Sequence, residues 1–464
     1  RAIDPALGTW EDVEALGHDF RLMFDGVVNH ISAESAWFQG FLADHEPYRR
    51  YFIVVEGSPD LSRVVRPRTL PLLTRFQTPR GEKAVWTTFS EDQIDLNYEN
   101  PDVLVEMIDI LLLYAARGAS FIRLDAIAYL WKKIGTACIH LPQTHRVIQL
   151  IRAVFDAAAP HVTLITETNV PHEDNISYFG DGVHEAQLVY NFALPPLVLH
   201  TFRSGSAEAL SNWAATLHLP SPGVTFFNFL ASHDGIGVNP VRTLLPERDV
   251  EALIERIHTH GGFASLKNNP DGTQSVYELN ISYFDALSNP AGDEPLRLQA
   301  ARFIAAQAVL FSLAGVPGIY FHSLFGSRGW PEGVRQTGRY RTINREKLAL
   351  EPFERDLADP SSLRYQVFHA CRHLLGHRAA SPAFDPYGSQ AFIDCGPRVF
   401  ALLRCAPGGS EDVLCLHNVT AQHQRVHIPL ITRPCCDLVS GITFDGGDMI
   451  ELDPYQVCWL RLNT

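Results

Sequence analysis

Two periods of hydrophobic spacing run along this chain and hand over to one another in a regular way. In NPDVLVEMIDILLLYAARG, residues 100–118, apolar positions recur at helical spacing, with Asn100 suited to an N-cap, Pro101 to the first turn and Gly118 to the end. The stretch that follows, GASFIRLDAIAYL, changes to period two: Ile122, Leu124 and Ala126 point to one face of a strand, Arg123 and Asp125 to the other. A helix feeding a strand is an α/β unit, and in such units ligands collect at the carboxyl ends of parallel strands. The same grammar returns elsewhere. Helix HRVIQLIRAVFDAAA precedes strand HVTLITETNV, which carries Glu167 to its carboxyl end. DFRLMFDGVVNH packs Leu22, Met23 and Phe24 before breaking into Asp25, Asn29 and His30. A further helix spans the 190s, and the apolar strand in TFFNFLASHDGIG ends in His233 and Asp234.

Strands that alternate with helices, and that release polar residues at their exits, predict a (β/α)8 TIM barrel in preference to an open sheet. Residues 1–30, 90–234 and 295–385 are assigned to it. Two excursions interrupt the pattern. Residues 31–89 are rich in aromatics and proline, and residues 235–294 read as irregular and polar; insertions this long in a compact domain usually have a function. A core helix over 296–314 leads into the short strand GVPGIYFHS. From about Pro386 the helices stop, and VFALLRC, VLCLHNV, RVHIPL and VCWLRL alternate with Gly and Asp turns, so 386–464 is expected to be an antiparallel β domain.

Composition narrows the function. A net charge of −14, with no basic stripe interleaved with aromatics, argues against a nucleic-acid partner, although a local group of arginines can still bind a small anion. The most apolar helix, LRLQAARFIAAQAVLFSLAG, carries Arg297, Gln299, Arg302 and Gln307 and therefore reads as a packed core helix, not a membrane span. None of the eight cysteines forms a CxxC pair; they read as buried thiols, with the adjacent Cys435 and Cys436 in a turn and no metal site expected. The chain opens at RAIDPALG with no visible signal peptide, and a cytoplasmic location is expected.

At the strand exits three acids stand out, Asp125, Glu167 and Asp234, with His30 and His233 beside them. The acids lack the short helical spacings of zinc enzymes, yet one carboxylate on each of several strands suits bond polarisation and metal binding alike. Arg123 and Asp125 on their own are equally readable as a structural ion pair.

DGVVNH, FIRLDAIAY, ITETNV and FLASHDGIG resemble, in order and spacing, the four motifs of glycoside hydrolase family 13, the α-amylase family. Within it, DGIG, THGG, VYNFALPPLVLH, GTACIHLPQTH and GRYRTINRE are similar to the sucrose phosphorylase subfamily, and to its glucosylglycerate, glucosylglycerol and sucrose 6-phosphate phosphorylase branches. In that family the first excursion is domain B and the second a B′ region.

The resemblance implies roles. Asp125 is the nucleophile that forms a β-glucosyl enzyme, Glu167 the general acid and later base, Asp234 the stabiliser of an oxocarbenium-like transition state. Arg123 keeps Asp125 ionised and oriented. His30, His233 and Asp25 would bind glucose. Phosphorolysis also needs cationic donors near the acceptor, for which Arg339, Arg341 and Arg345 are the candidates, with Arg345 matching the family's INR segment. Tyr190 and Asn191 would shape the same mouth, with Gln187 beside them, and Arg328 or Arg335 could serve an anionic acceptor. The implied activity is a retaining α-glucosyl phosphorylase acting on a sucrose-like glucoside, glucosylglycerate or glucosylglycerol, with a sugar and inorganic phosphate as its small-molecule partners. No cofactor, no nucleic acid and no membrane are implied, and the assembly would be a monomer or homodimer. A hydrolase or transglucosidase on the same scaffold, or a non-catalytic sugar-binding fragment, are the alternatives. Family members begin with a strand, a helix and a second strand that precede RAIDPALG, one of them carrying a glucose-binding aspartate; the reading therefore expects poor stability and weak or absent activity for these 464 residues expressed alone.

Overall fold

The computed structural model describes residues 2–269, 271–447 and 449–462. The chain divides into two compact units, one of Arg1–Thr168, Glu173–Tyr190 and Leu266–Val276, the other of Asn169–His172, Asn191–Ser265 and Tyr277–Thr464.

A parallel ladder organises the first unit. The Leu22–Val27 strand pairs with Ala119–Asp125, that strand with Thr163–Thr166, and that in turn with Leu188–Tyr190. The register sets Asp25 beside Arg123 and Val27 beside Asp125. Helix Pro101–Ala116 forms where its periodicity predicts: the Asn100 side chain accepts from the Asp102 amide at 3.1 Å, and Val103, Met107 and Leu111 make its buried face. Gly118 then takes a φ of +92°, a conformation open to glycine, and starts the strand. The next helix, Pro142–Ala158, begins three residues before the predicted His145, because Pro142 is preorganised for a first turn. The first excursion is ordered by its aromatics. Phe38 packs against Phe41, Phe52 and Phe76 with ring centroids 5.4, 5.0 and 4.8 Å away, under a small antiparallel sheet of Val54–Val55, Gly81–Trp86 and Leu73–Thr78.

In the second unit the Thr225–Phe229 strand pairs in parallel with Val316–Gly318. Helix Leu296–Ser312 is buried along most of its length, and its Arg302 is accommodated by Glu294, Ser288 and the Tyr455 hydroxyl, at 2.7, 2.8 and 2.9 Å. Among the described residues no helix is long and apolar enough to cross a membrane. The chain ends in an antiparallel sheet ordered Ser389–Phe392, Val399–Cys405, Asp412–Asn418, Val457–Leu462, Cys435–Asp437, Thr443–Phe444, beside a Gln424–His427 and Met449–Leu452 pair.

Two expectations need correction. Cys435 and Cys436 lie in the Cys435–Asp437 strand and not in a turn; the turn follows them, nucleated by the Asp437 carboxylate, which accepts from the Val439 and Ser440 amides and the Ser440 hydroxyl. The segment 235–294 is also not irregular. It holds helix Glu247–Thr259, whose buried stripe is Val250, Leu253 and Ile257, and strands Phe263–Asn268 and Gln274–Asn280. Three buried positions on a highly charged helix make a narrow stripe, which the polar text around it concealed.

His417 gives the C-terminal sheet a pH dependence. It is fully buried; its Nδ1–H donates to the Phe400 carbonyl at 3.2 Å, leaving Nε2 to accept from the Trp459 indole at 3.5 Å, and burial pushes its pKa down to about 4. Below about pH 6.5 the unfolded chain takes up a proton that the native sheet refuses, so stability is complete above that pH and is lost as pH falls toward 4, by roughly 3 kcal/mol at the limit. Thermal melts from pH 7.5 to 4 should show this loss, and a variant His417→Gln should show a shallower slope; equal slopes would remove His417 as the cause.

Candidate active site

In the first unit, Arg123 is the hub. Its Nη1 donates to Asp25 Oδ1 at 2.6 Å and to Asp125 Oδ1 at 2.8 Å, its Nη2 lies 3.7 Å from Glu167 Oε1, and its guanidinium carbon sits 5.5 Å from the centroid of the Tyr190 ring. Ladder register explains the convergence: Asp25 and Arg123 are cross-strand neighbours, and Asp125 follows Arg123 by two on the same face. Burial alone would lower the Arg123 pKa; Glu167, Tyr190, Asp25 and Asp125 overcome it and hold it raised, so the guanidinium stays charged. The Tyr190 hydroxyl is pushed up to about 12, mainly by burial and partly offset by Arg123, so it remains a neutral phenol.

Glu167 is fixed from another direction. Its Oε2 accepts from the Ala126 amide at 3.2 Å, and Ala126 adopts a left-handed φ of +51°. A non-glycine residue in this region costs about 1–2 kcal/mol. The strain turns the chain immediately after Asp125 and aims that amide at Glu167. Sequence reasoning missed Ala126, since alanine carries no signal of such a conformation.

His30 lies at the rim of the same cluster. Burial lowers its pKa against the pull of Asp95, Asp125 and Asp25, which makes it a neutral imidazole. Its Nε2 is 2.7 Å from Gln93 Nε2 and its Nδ1 3.3 Å from Asn29 Nδ2. Beneath it runs a buried network: Lys132 Nζ donates to Asn29 Oδ1 at 2.8 Å and pairs with Asp95 at 2.5 Å, and Asp95 also accepts from the Thr88 amide at 2.8 Å. Gln93, Asp95 and Lys132 were not singled out from sequence, because they lie dozens of residues from His30 and no local period joins them.

The second unit builds a separate cluster around Asp234. Arg341 Nη1 and Arg345 Nη2 both reach Asp234 Oδ1, at 2.7 and 2.9 Å. Arg345 Nε also donates to the His233 carbonyl at 2.8 Å, and Asn344 Nδ2 to the Asp234 carbonyl at 2.9 Å. The His233 side chain is 54% exposed, with Nε2 3.6 Å from Asp234 Oδ1. The other face of Arg341 grips buried Glu278 through Nε at 2.9 Å and Nη2 at 2.5 Å. Arg341 and Arg345, expected as anion donors, are thus already occupied by Asp234. Arg339 is exposed and, among the described residues, enters no ion pair.

Several weaker candidates serve the framework. Arg328 is committed to Asp285 and Gln299, both at 2.7 Å, and Arg335 pairs with Glu332 on the same exposed helix. Asn191 is buried and donates to Asn228 Oδ1 at 2.9 Å, while Gln187 accepts from the Leu164 amide at 2.9 Å. Among the described residues no group of three or more His, Cys, Asp and Glu is placed to hold a metal ion.

The glycines of SHDGIG are demanded by close approach. A Cβ on Gly235 would lie 2.5 Å from the Leu279 carbonyl oxygen and 2.6 Å from Glu278 Cγ; one on Gly237 would lie 2.3 Å from Asn169 Oδ1. Gly235→Ala should therefore lower the melting temperature, through an overpacking cost of about 1–3 kcal/mol, and depress turnover as the Asp234 turn shifts. Thermal melting and an activity assay check this; a variant that matches the parent in both would sink it.

The catalytic-domain profile of the α-amylase family (Alpha amylase, catalytic domain) matches residues 1–235, and the chain belongs to that family. It is 51% identical over 458 residues to the glucosylglycerate phosphorylase of Allomeiothermus silvanus, covering 99% of this chain and 80% of that protein. It is 46% identical to that of Escherichia coli K12, over 98% and 80% of the two chains, and 32% identical to the sucrose phosphorylase of Agrobacterium vitis, over 86% and 80%. The crystal structure of sucrose 6F-phosphate phosphorylase from Thermoanaerobacter thermosaccharolyticum superposes with a TM-score of 0.78 at 24% identity, over 97% of this chain and 87% of that one, a likeness of fold. The fold is the α-amylase TIM barrel followed by an antiparallel β domain.

Proposed function

We propose that this chain is a retaining α-glucosyl phosphorylase whose substrate is glucosylglycerate. Two supports are independent: the carboxylate cluster on Arg123, and relatives named glucosylglycerate phosphorylase at 46 to 51% identity over nearly the whole chain. The cluster carries the mechanism. Asp125, oriented by Arg123, attacks the anomeric carbon as Glu167 protonates the departing glycosidic oxygen, giving a β-glucosyl ester on Asp125 and free glycerate. Phosphate then attacks that carbon from the opposite face with Glu167, now a carboxylate, accepting its proton; α-glucose 1-phosphate leaves and Asp125 is restored.

In this reading Asp234 stabilises the positive charge that develops at the anomeric carbon. Asp25, His30 and His233 bind glucose hydroxyls, Tyr190 lies against Arg123, and the exposed Arg339 meets the phosphate. No metal or organic cofactor takes part, and sugar and phosphate are the reactants. A cytoplasmic setting suits the eight cysteines, all thiols, of which Cys371 is pushed up to about 12 by burial. The acting form is a monomer or homodimer. The test is an assay of α-glucose 1-phosphate formed from glucosylglycerate and phosphate, with free glucose measured in parallel and glycerol, fructose and fructose 6-phosphate compared as acceptors in the reverse direction. Phosphate-dependent product with glycerate preferred supports the reading; glucose released at a phosphate-independent rate overturns it.

A further inference from the structure

We propose that Glu278, a residue outside the reacting cluster, is a positioning residue for glucosyl transfer: it fixes Arg341 on Asp234 and balances the charge there. The proposal rests on the functional reading above, in which Asp234 stabilises the transition state. Glu278 is 1% exposed and lies beside the SHDGIG turn because its strand, Gln274–Asn280, pairs with Ile236–Gly237 in the register Gly237 to Glu278. The absence of a side chain at Gly235 leaves room for its stem. From there both of its oxygens take Arg341, through Nε and Nη2, and leave Nη1 directed at Asp234 Oδ1. A bidentate pair defines the guanidinium plane as well as its position.

The electrostatics give this geometry a catalytic consequence. Asp234 Oδ1 receives two guanidinium groups, from Arg341 and Arg345. With Glu278 ionised, two carboxylates face two cations and the cluster is neutral. Without it, an extra positive charge would remain beside the carboxylate that must stabilise an oxocarbenium-like centre, and Arg341 would be free to rotate off Asp234. Burial of Arg341 would lower its pKa, and Glu278 with Asp234 holds it raised, which keeps the clamp charged at every working pH.

Acting through Asp234, Glu278 should affect the glucosyl centre and not the acceptor. Glu278→Gln keeps the shape and removes the charge. It is expected to lower kcat by about 10- to 100-fold, equally for every acceptor and in both directions, and to slow glucosylation by α-glucosyl fluoride to the same degree, with the KM for phosphate and glycerate little changed. Glu278→Asp should recover part of the loss, and Glu278→Gln combined with Arg341→Gln should be no slower than Arg341→Gln alone. Unaltered kcat in a folded Glu278→Gln protein would overturn the proposal, as would a loss confined to the KM of phosphate or glycerate. If Glu278→Gln does not fold, Arg341→Lys reads the same step, since its ammonium cannot span both carboxylates; normal kcat there also overturns it. The parent enzyme is assayed first, and failure to form α-glucose 1-phosphate there is a failure of the functional reading and is distinguishable from a failure of this inference.

Discussion

Asp125→Asn is expected to reduce glucosyl transfer by about 10⁴-fold or more while leaving sugar binding largely intact. An amide is nearly isosteric with the carboxylate, and its oxygen can still accept from Arg123, which also keeps its hold on Asp25. What is lost, on the proposed mechanism, is the carboxylate oxygen that would form the glucosyl ester. The measurement is α-glucose 1-phosphate formation against phosphate and glucosylglycerate, paired with calorimetric binding of the sugar to the same variant. Turnover close to that of the parent would remove Asp125 as nucleophile. Loss of binding together with turnover would point to a collapsed pocket.

The second large effect belongs to Glu167. Glu167→Gln should cost about 10²- to 10⁴-fold with glucosylglycerate, whose leaving oxygen needs a proton. With α-glucosyl fluoride the first step should be far less impaired, because fluoride departs without one. Glutamine can still accept from the Ala126 amide, so the comparison isolates the proton and not the position of the side chain. Equal losses on the two donors would show that Glu167 is not the general acid.

The sequence was most legible where chemistry and backbone period coincide. Arg123 and Asp125 could be placed on one face because a strand repeats every two residues, and Asp25 joins them because the ladder register is parallel and tight. Reading became difficult where partners are remote or a signal is weak. Lys132, Asp95 and Asn29 form a buried network from three parts of the chain, a matter of tertiary packing that no window reveals. Glu278 was hidden in a stretch whose Gly, Asn and Asp content resembles a loop, although Gln274–Asn280 forms one continuous strand, buried on both faces from Tyr277 to Asn280. Arg341 and Arg345 of GRYRTINR stand out in the sequence for their charge, yet that charge faces Asp234 and, for Arg341, Glu278 as well. Composition reports that a cation is present; it does not report which anion owns it.

The left-handed turn at Ala126 has one further consequence. The same short piece of backbone carries Asp125 and supplies an amide that holds Glu167, so the two carboxylates are indexed to each other through one main-chain turn. On the proposed mechanism, reaction chemistry and acceptor choice are thereby separable properties of the chain. On that mechanism, segments that select glycerate, glycerol or a sugar would be exchangeable, over evolutionary time or in the laboratory, while this turn keeps the two carboxylates together.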